Sequence, residues 1–158
     1  MNAFLDWARR KRWQVELPEE EREMPKEAFC RYGKLPPDYE KFLRHINVLA
    51  NEADTSWFLS IDDFVNNAKD AVWSARSFEE ISLEAASGDN DLETAVAQFW
   101  DAHIPIVFCL ANGYEYYAIR LADGAVVNGI EPEFEEVSVV SSSFEDFLAK
   151  TIAGKIVL

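Results

Sequence analysis

Two dipeptides, Asn112-Gly113 and Asp123-Gly124, restrict the architecture of this chain more than any other feature. They separate three runs rich in β-branched and aromatic residues, Ile104–Leu110, Tyr114–Leu121 and Ala125–Ile130. Asn-Gly and Asp-Gly favour two-residue hairpin turns, whose central residues both need positive φ. The pattern predicts an antiparallel meander over residues 104–130. Two-residue turns set Phe108 opposite Tyr117, Ile106 opposite Ile119, Leu121 opposite Val126 and Tyr117 opposite Ile130. One sheet face then carries Ile106, Phe108, Leu110, Tyr117, Ile119, Leu121, Val126 and Ile130, and is core. The other carries Val107, Cys109, Tyr114, Tyr116, Ala118, Arg120 and Val127. That mixture fits a face either covered by a helix or turned toward a partner.

The first hundred residues read mostly as helix. Residues 2–12 are amphipathic and close on the basic run Arg9-Arg10-Lys11-Arg12, which suits a helix C-terminus. Glu16 to Glu23 reads as a charged connector. Pro25 opens a short helix through Arg31, and Gly33 ends it. Pro37 opens another, with Asp38 and Glu40 in its first turn, and the pattern carries it to about Leu49. Residues 57–59 read as a short strand. Ser60-Ile61-Asp62-Asp63 resembles a capping box and predicts a helix through Phe64, Ala68, Ala71 and Val72. Residues 79–87 and 91–102 are helical patterns split by Ser87-Gly88-Asp89-Asn90. After the meander, Glu131-Pro132-Glu133-Phe134-Glu135-Glu136 reads as an acidic loop and 137–140 as a last strand. Ser142 or Ser143 then caps a final helix, with Glu145 completing the box, and Gly154 ends it. The expected fold class is α+β: one domain over residues 1–158, an antiparallel sheet and flanking helices.

Charge narrows the function classes. Residues 1–44 carry ten Lys/Arg against nine Asp/Glu, whereas residues 45–158 carry five against twenty. An acidic half can serve as a solvated surface or be steered onto a basic partner. It disfavours direct binding to nucleic acid, which needs clustered Lys and Arg. No stretch approaches the roughly 20 apolar residues of a membrane span. With two distant cysteines, Cys30 and Cys109, and no apolar run at the N-terminus, a reducing cytoplasm is the expected location.

Little in the chain points to chemistry. Gly113 and Gly124 belong to turns, not to a phosphate loop. His45 sits at a helix end and His103 just before a strand, and Cys109 alternates into a sheet face as a small packing residue. Glu131, Glu133, Glu135 and Glu136 lack the spacing and glycine of a calcium loop. No enzyme, metal or cofactor is therefore expected. The residues best suited to contact a protein are those four glutamates, Tyr114 and Tyr116 as aromatic anchors, and Asp62 and Asp63 at the rim.

Three segments, in order, resemble one family. Leu35-Pro36-Pro37-Asp38-Tyr39 with Phe42-Leu43 is similar to the opening helix of the SUKH superfamily. Ile104-Pro105-Ile106, Asn112-Gly113 and Tyr114-Glu115-Tyr116-Tyr117-Ala118-Ile119 resemble its central strands, with Val126 on the next. Ser143-Phe144-Glu145-Asp146-Phe147-Leu148 resembles its closing helix. The chain departs from the family at Ile46-Asn47-Val48-Leu49, which lacks a glycine turn, and over Ser74 to Asp101. The superfamily includes fungal cell-wall assembly regulators and bacterial toxin-immunity proteins. The resemblance implies an α+β fold and a non-enzymatic binding role. The expected partner is a toxin domain, such as a nuclease with a basic groove. The alternative is a regulatory or scaffolding module that binds a host protein.

Overall fold

Strand order follows chain order throughout the sheet. In a computed structural model, which describes residues 1–65 and 72–158, seven antiparallel strands pair in sequence from β1 to β7. They are β1 (Gln14–Glu16), β2 (Val48–Ala50), β3 (Ser56–Phe58), β4 (His103–Cys109), β5 (Glu115–Arg120), β6 (Val126–Ile130) and β7 (Glu133–Ser141). The helices are α1 (Asn2–Arg10), α2 (Lys26–Phe29), α3 (Pro37–Arg44), α4 (Ile61–Val65), α5 (Ser77–Ala85), α6 (Asn90–Ala102) and α7 (Phe144–Ile152). The expected α+β class is the observed one.

The meander is present, but both turns are longer than two residues. Gly113 and Gly124 have φ of 115° and 76°, whereas Asn112 and Asp123 are not in the positive-φ region. In the second turn Arg120 N–H donates to the Ala125 carbonyl at 2.8 Å, and Asp123 accepts from the Ala125 N–H at 3.1 Å. The loop therefore spans four residues, and Ile119, not Leu121, lies opposite Val126. In the first turn Cys109 lies opposite Glu115, so Phe108 faces Tyr116 instead of Tyr117. A bulge between Pro105 and Val107 then resets the alternation of β4. Ile104, Ile106, Val107 and Cys109 join Tyr117, Ile119 and Val126 in one core. Phe108 joins Tyr116, Ala118 and Val127 in the other. The predicted partition of faces fails at that bulge, which no alternation rule locates.

Both faces are covered. On the first, α1, α3 and α7 deliver Phe4, Phe42, Phe144 and Phe147 around Phe58 of β3. Ring centroids lie 5.2 Å apart for Phe4–Phe58, 5.4 Å for Phe42–Phe58 and 5.0 Å for Phe42–Phe144. On the second, α5 and α6 lay Phe78 against Phe108 at 4.4 Å and Trp100 against Tyr116 at 4.9 Å. Every residue of β4 is buried, as a strand sandwiched between two layers must be.

Local chemistry explains most element ends. Pro37 starts α3, and Asp38 and Glu40 occupy its first turn. The helix stops at Arg44 instead of reaching Leu49, because Val48–Ala50 pairs with β1, a strand that falls between the expected N-terminal helix and the charged connector. Half of the expected capping box forms at α4: Ser60 donates both its N–H and its hydroxyl to Asp63, at 2.7 and 2.8 Å. The expected continuation of this helix through Ala68 and Ala71 lies outside the described residues, and Val72 is not helical. Ser143 caps α7 by accepting from the Asp146 N–H at 3.1 Å. Asp146, not Glu145, answers by accepting from the Ser142 N–H at 3.0 Å. The acidic segment expected as a loop is largely strand, since β7 begins at Glu133.

His103 opens β4, is buried, and stacks on Phe99 with centroids 4.1 Å apart. Its Nδ1 lies 2.8 Å from the Phe99 carbonyl, while the buried Nε2 has no hydrogen-bond partner. Burial holds the imidazole pKa below the usual 6.5; Arg120 lowers it further, and the Phe99 carbonyl and Asp123 oppose the shift. The folded protein thus favours neutral His103, and the unfolded chain takes up its proton first as pH falls. The contribution of His103 to folding stability is expected to be full above about pH 6.5 and to be lost over the pH interval below it. A His103→Leu chain should show a flatter slope over that interval in urea titrations.

Candidate protein-binding surface

The acidic residues proposed for contact fall into two places. Glu131, Glu133 and Glu136 line one groove on β6 and β7, with Asn128, Ile130 and Ser138, enclosing about 270 Å³. Ile130 is 52% exposed there, an apolar side chain among carboxylates. Asn128 is fixed by donating to Glu115 Oε1 at 2.8 Å, and Tyr117 donates to the same oxygen at 3.1 Å. Burial and the neighbouring Glu115 carboxylate both drive the Tyr117 pKa up, so the phenol stays protonated and remains a donor. Among the described residues no group of three His, Cys, Asp or Glu is placed to hold a metal ion.

Glu135 does not join this groove. It turns to the second core and accepts from Trp100 Nε1 at 2.9 Å. Tyr116 is also withdrawn. Its side chain is fully buried beneath α5 and α6, and its hydroxyl donates to the Phe134 carbonyl at 2.6 Å. Both residues were expected at the contact surface, and both are structural. Helices cover Tyr116 on the face that alternation left undecided, and Glu135 lies in a strand instead of the expected loop.

Asp62 and Asp63 lie elsewhere, in a cleft of about 610 Å³ with Trp57, Phe58, Trp73 and Leu110. Asp62 pairs with Arg22 at 2.6 Å, and this hydrogen bond holds its pKa below the usual carboxylate range. Asp63 is pushed the other way by burial, against the bonds from Ser60.

Tyr114 links the two places. It is 38% exposed, and its ring meets Trp73 with centroids 5.3 Å apart. Trp73 in turn lies 6.3 Å from Trp57 in the cleft. On the other side, the Tyr114 carbonyl accepts from the Glu131 N–H at 2.9 Å. One belt therefore runs from the aspartates through Trp57, Trp73 and Tyr114 to the glutamate groove. An aromatic centre with a charged surround is the usual anatomy of a protein contact. Trp73, just past the expected end of the helix at Val72, was not among the expected contacts.

The glutamate end of the belt lies in strongly acidic chain. Between Arg76 and Lys150 the sequence has fifteen Asp/Glu and a single cation, Arg120. Arg120 is held by Asp123 at 2.7 Å. Cys109 is buried with its thiol pKa pushed up to about 11 by burial, and the exposed Cys30 thiol donates to the Glu27 carbonyl at 3.3 Å. No helix among the described residues is long and apolar enough to cross a membrane.

Neither a curated protein nor a solved structure matches the chain. A family model described as SMI1/KNR4 family (SUKH-1) matches residues 26–150. That span takes in the helix opened by Pro37, the whole meander and most of α7. The chain belongs to the SMI1/KNR4 (SUKH-1) family.

Proposed function

We propose that this is a non-enzymatic immunity-type protein that binds a cognate toxin domain and blocks it. The observation that carries this reading is the belt itself, three partly exposed aromatic rings between two groups of carboxylates. Family membership is consistent with immunity or regulatory roles. A basic groove, such as that of a nuclease, would meet glutamates where substrate phosphates otherwise lie. Electrostatic attraction would speed encounter, and the aromatic rings would supply the short-range contact.

The test is co-production with any toxic domain encoded beside this protein. Protection of the host cell, and co-purification of the two chains, are the expected results. Association should slow steeply as salt rises from 50 to 500 mM, because exposed charges are screened. Reversing Glu131, Glu133 and Glu136 together to lysine should slow association by about tenfold or more and flatten that salt dependence. A salt-independent on-rate would rule out steering by this face. If no neighbouring toxin exists and no co-produced toxin is neutralised, the regulatory reading is preferred, in which the same belt engages a host protein.

A further inference from the structure

The cleft beside β3 has a chemistry that selects its occupant. Trp57 and Trp73 form an angled wall, with ring planes at 57°, and the apolar lining also includes Val48, Leu49, Phe58 and Leu110. The charged groups that line it, among the described residues, are Asp54, Asp62 and Asp63. Asp63 is committed to Ser60. Asp62 already grips a guanidinium: Arg22, which is not part of the lining, reaches it at 2.6 and 2.9 Å and reaches Asn47 at 3.3 Å. Asp54 is exposed at the rim.

We propose that this cleft takes an arginine side chain of the protein partner, its guanidinium against the Trp57–Trp73 wall and paired with Asp54. The proposal rests on the reading of the belt as a binding surface and names its anchor. A guanidinium is planar, weakly hydrated and permanently charged, so it suits an aromatic wall and a carboxylate rim together. A lysine ammonium is more strongly hydrated and gains less from the wall. A purely apolar group would cover the rim and leave Asp54 without a counter-charge. A second copy of this chain is opposed by its own net charge of −14.

The test is a titration of the isolated, ¹⁵N-labelled protein with acetyl-Gly-Arg-Gly-amide, followed at the five indole N–H resonances. Trp57→Phe and Trp73→Phe chains assign two of them. The expected result is a saturable shift of the Trp57 and Trp73 signals, with those of Trp7, Trp13 and Trp100 unmoved. The lysine counterpart should bind at least several-fold more weakly. Asp54→Asn should weaken the arginine peptide about fivefold. Equal response to the two peptides, or equal shifts at all five indoles, overturns the proposal. So does full protection against the toxin by a folded Trp73→Ala chain, a result that leaves the immunity reading standing. Because the titration uses no toxin, its outcome is independent of whether the unaltered chain protects.

Discussion

Arg31→Met is expected to remove roughly 3–5 kcal/mol of folding stability. Arg31 lies in the single turn of 3₁₀ helix, Cys30–Tyr32, that follows α2. From there its guanidinium reaches both oxygens of Glu79 on α5, at 2.7 and 2.9 Å, and Asp101 on α6, at 2.7 and 2.9 Å. The Glu79 side chain is only 5% exposed. Without Arg31, its other cation is Arg76 at 3.4 Å, which is itself mostly exposed and therefore a weak substitute. A buried carboxylate left in this way bears most of its desolvation cost. The double replacement Arg31→Met with Glu79→Met removes the stranded charge and should recover most of the loss. Urea denaturation of the two single variants and the double variant measures this directly. A cost below 1 kcal/mol for Arg31→Met would show that Glu79 is not held by this pair.

Gly129→Val should be nearly as damaging, for a steric reason. Gly129 lies opposite Tyr116 in the β5–β6 pair, and the Tyr116 ring covers it. A Cβ at this position would lie 2.6 Å from Tyr116 Cζ and 2.7 Å from the Phe134 carbonyl oxygen. Backbone cannot yield there, so the ring must leave. Overpacking costs about 1–3 kcal/mol. Losing the Tyr116 hydroxyl from the buried Phe134 carbonyl costs about 1–3 kcal/mol more. Tyr116→Phe forfeits only the second of these, so comparing the two chains separates ring placement from the hydrogen bond. If Gly129→Val unfolds at the urea midpoint of the parent chain, the ring is not confined as described.

These two residues mark where the sequence stops being legible. Pro37 with Asp38 and Glu40, the Ser143 cap and the glycine turns follow from local chemistry, and the elements they begin or separate are found where expected. Register and layer are not local. The bulge at Pro105–Val107 resets the register of β4, and alternation alone assigned Phe108 to the wrong core. Tyr116 failed as a contact residue because α5 and α6 cover it. Glu131, Glu133 and Glu136 were recognisable from charge and do share a groove. Glu135, one position from Glu136, faces the opposite side. Arg31 and Glu79 are separated by 48 positions, and nothing in either neighbourhood foretells their meeting.

Strand order without crossovers has a consequence for assembly. Each pair from β4 to β7 closes a short loop, all within residues 103–141. Pairing β3 with β4, or β1 with β2, must close a loop of more than thirty residues, at a greater entropic cost. Folding of this sheet is thus favoured to begin at its acidic, C-terminal end and to recruit the N-terminal strands afterwards. The long segment between β3 and β4 joins strands that are already neighbours. Its helices can therefore change in length and charge while the paired strands keep their order.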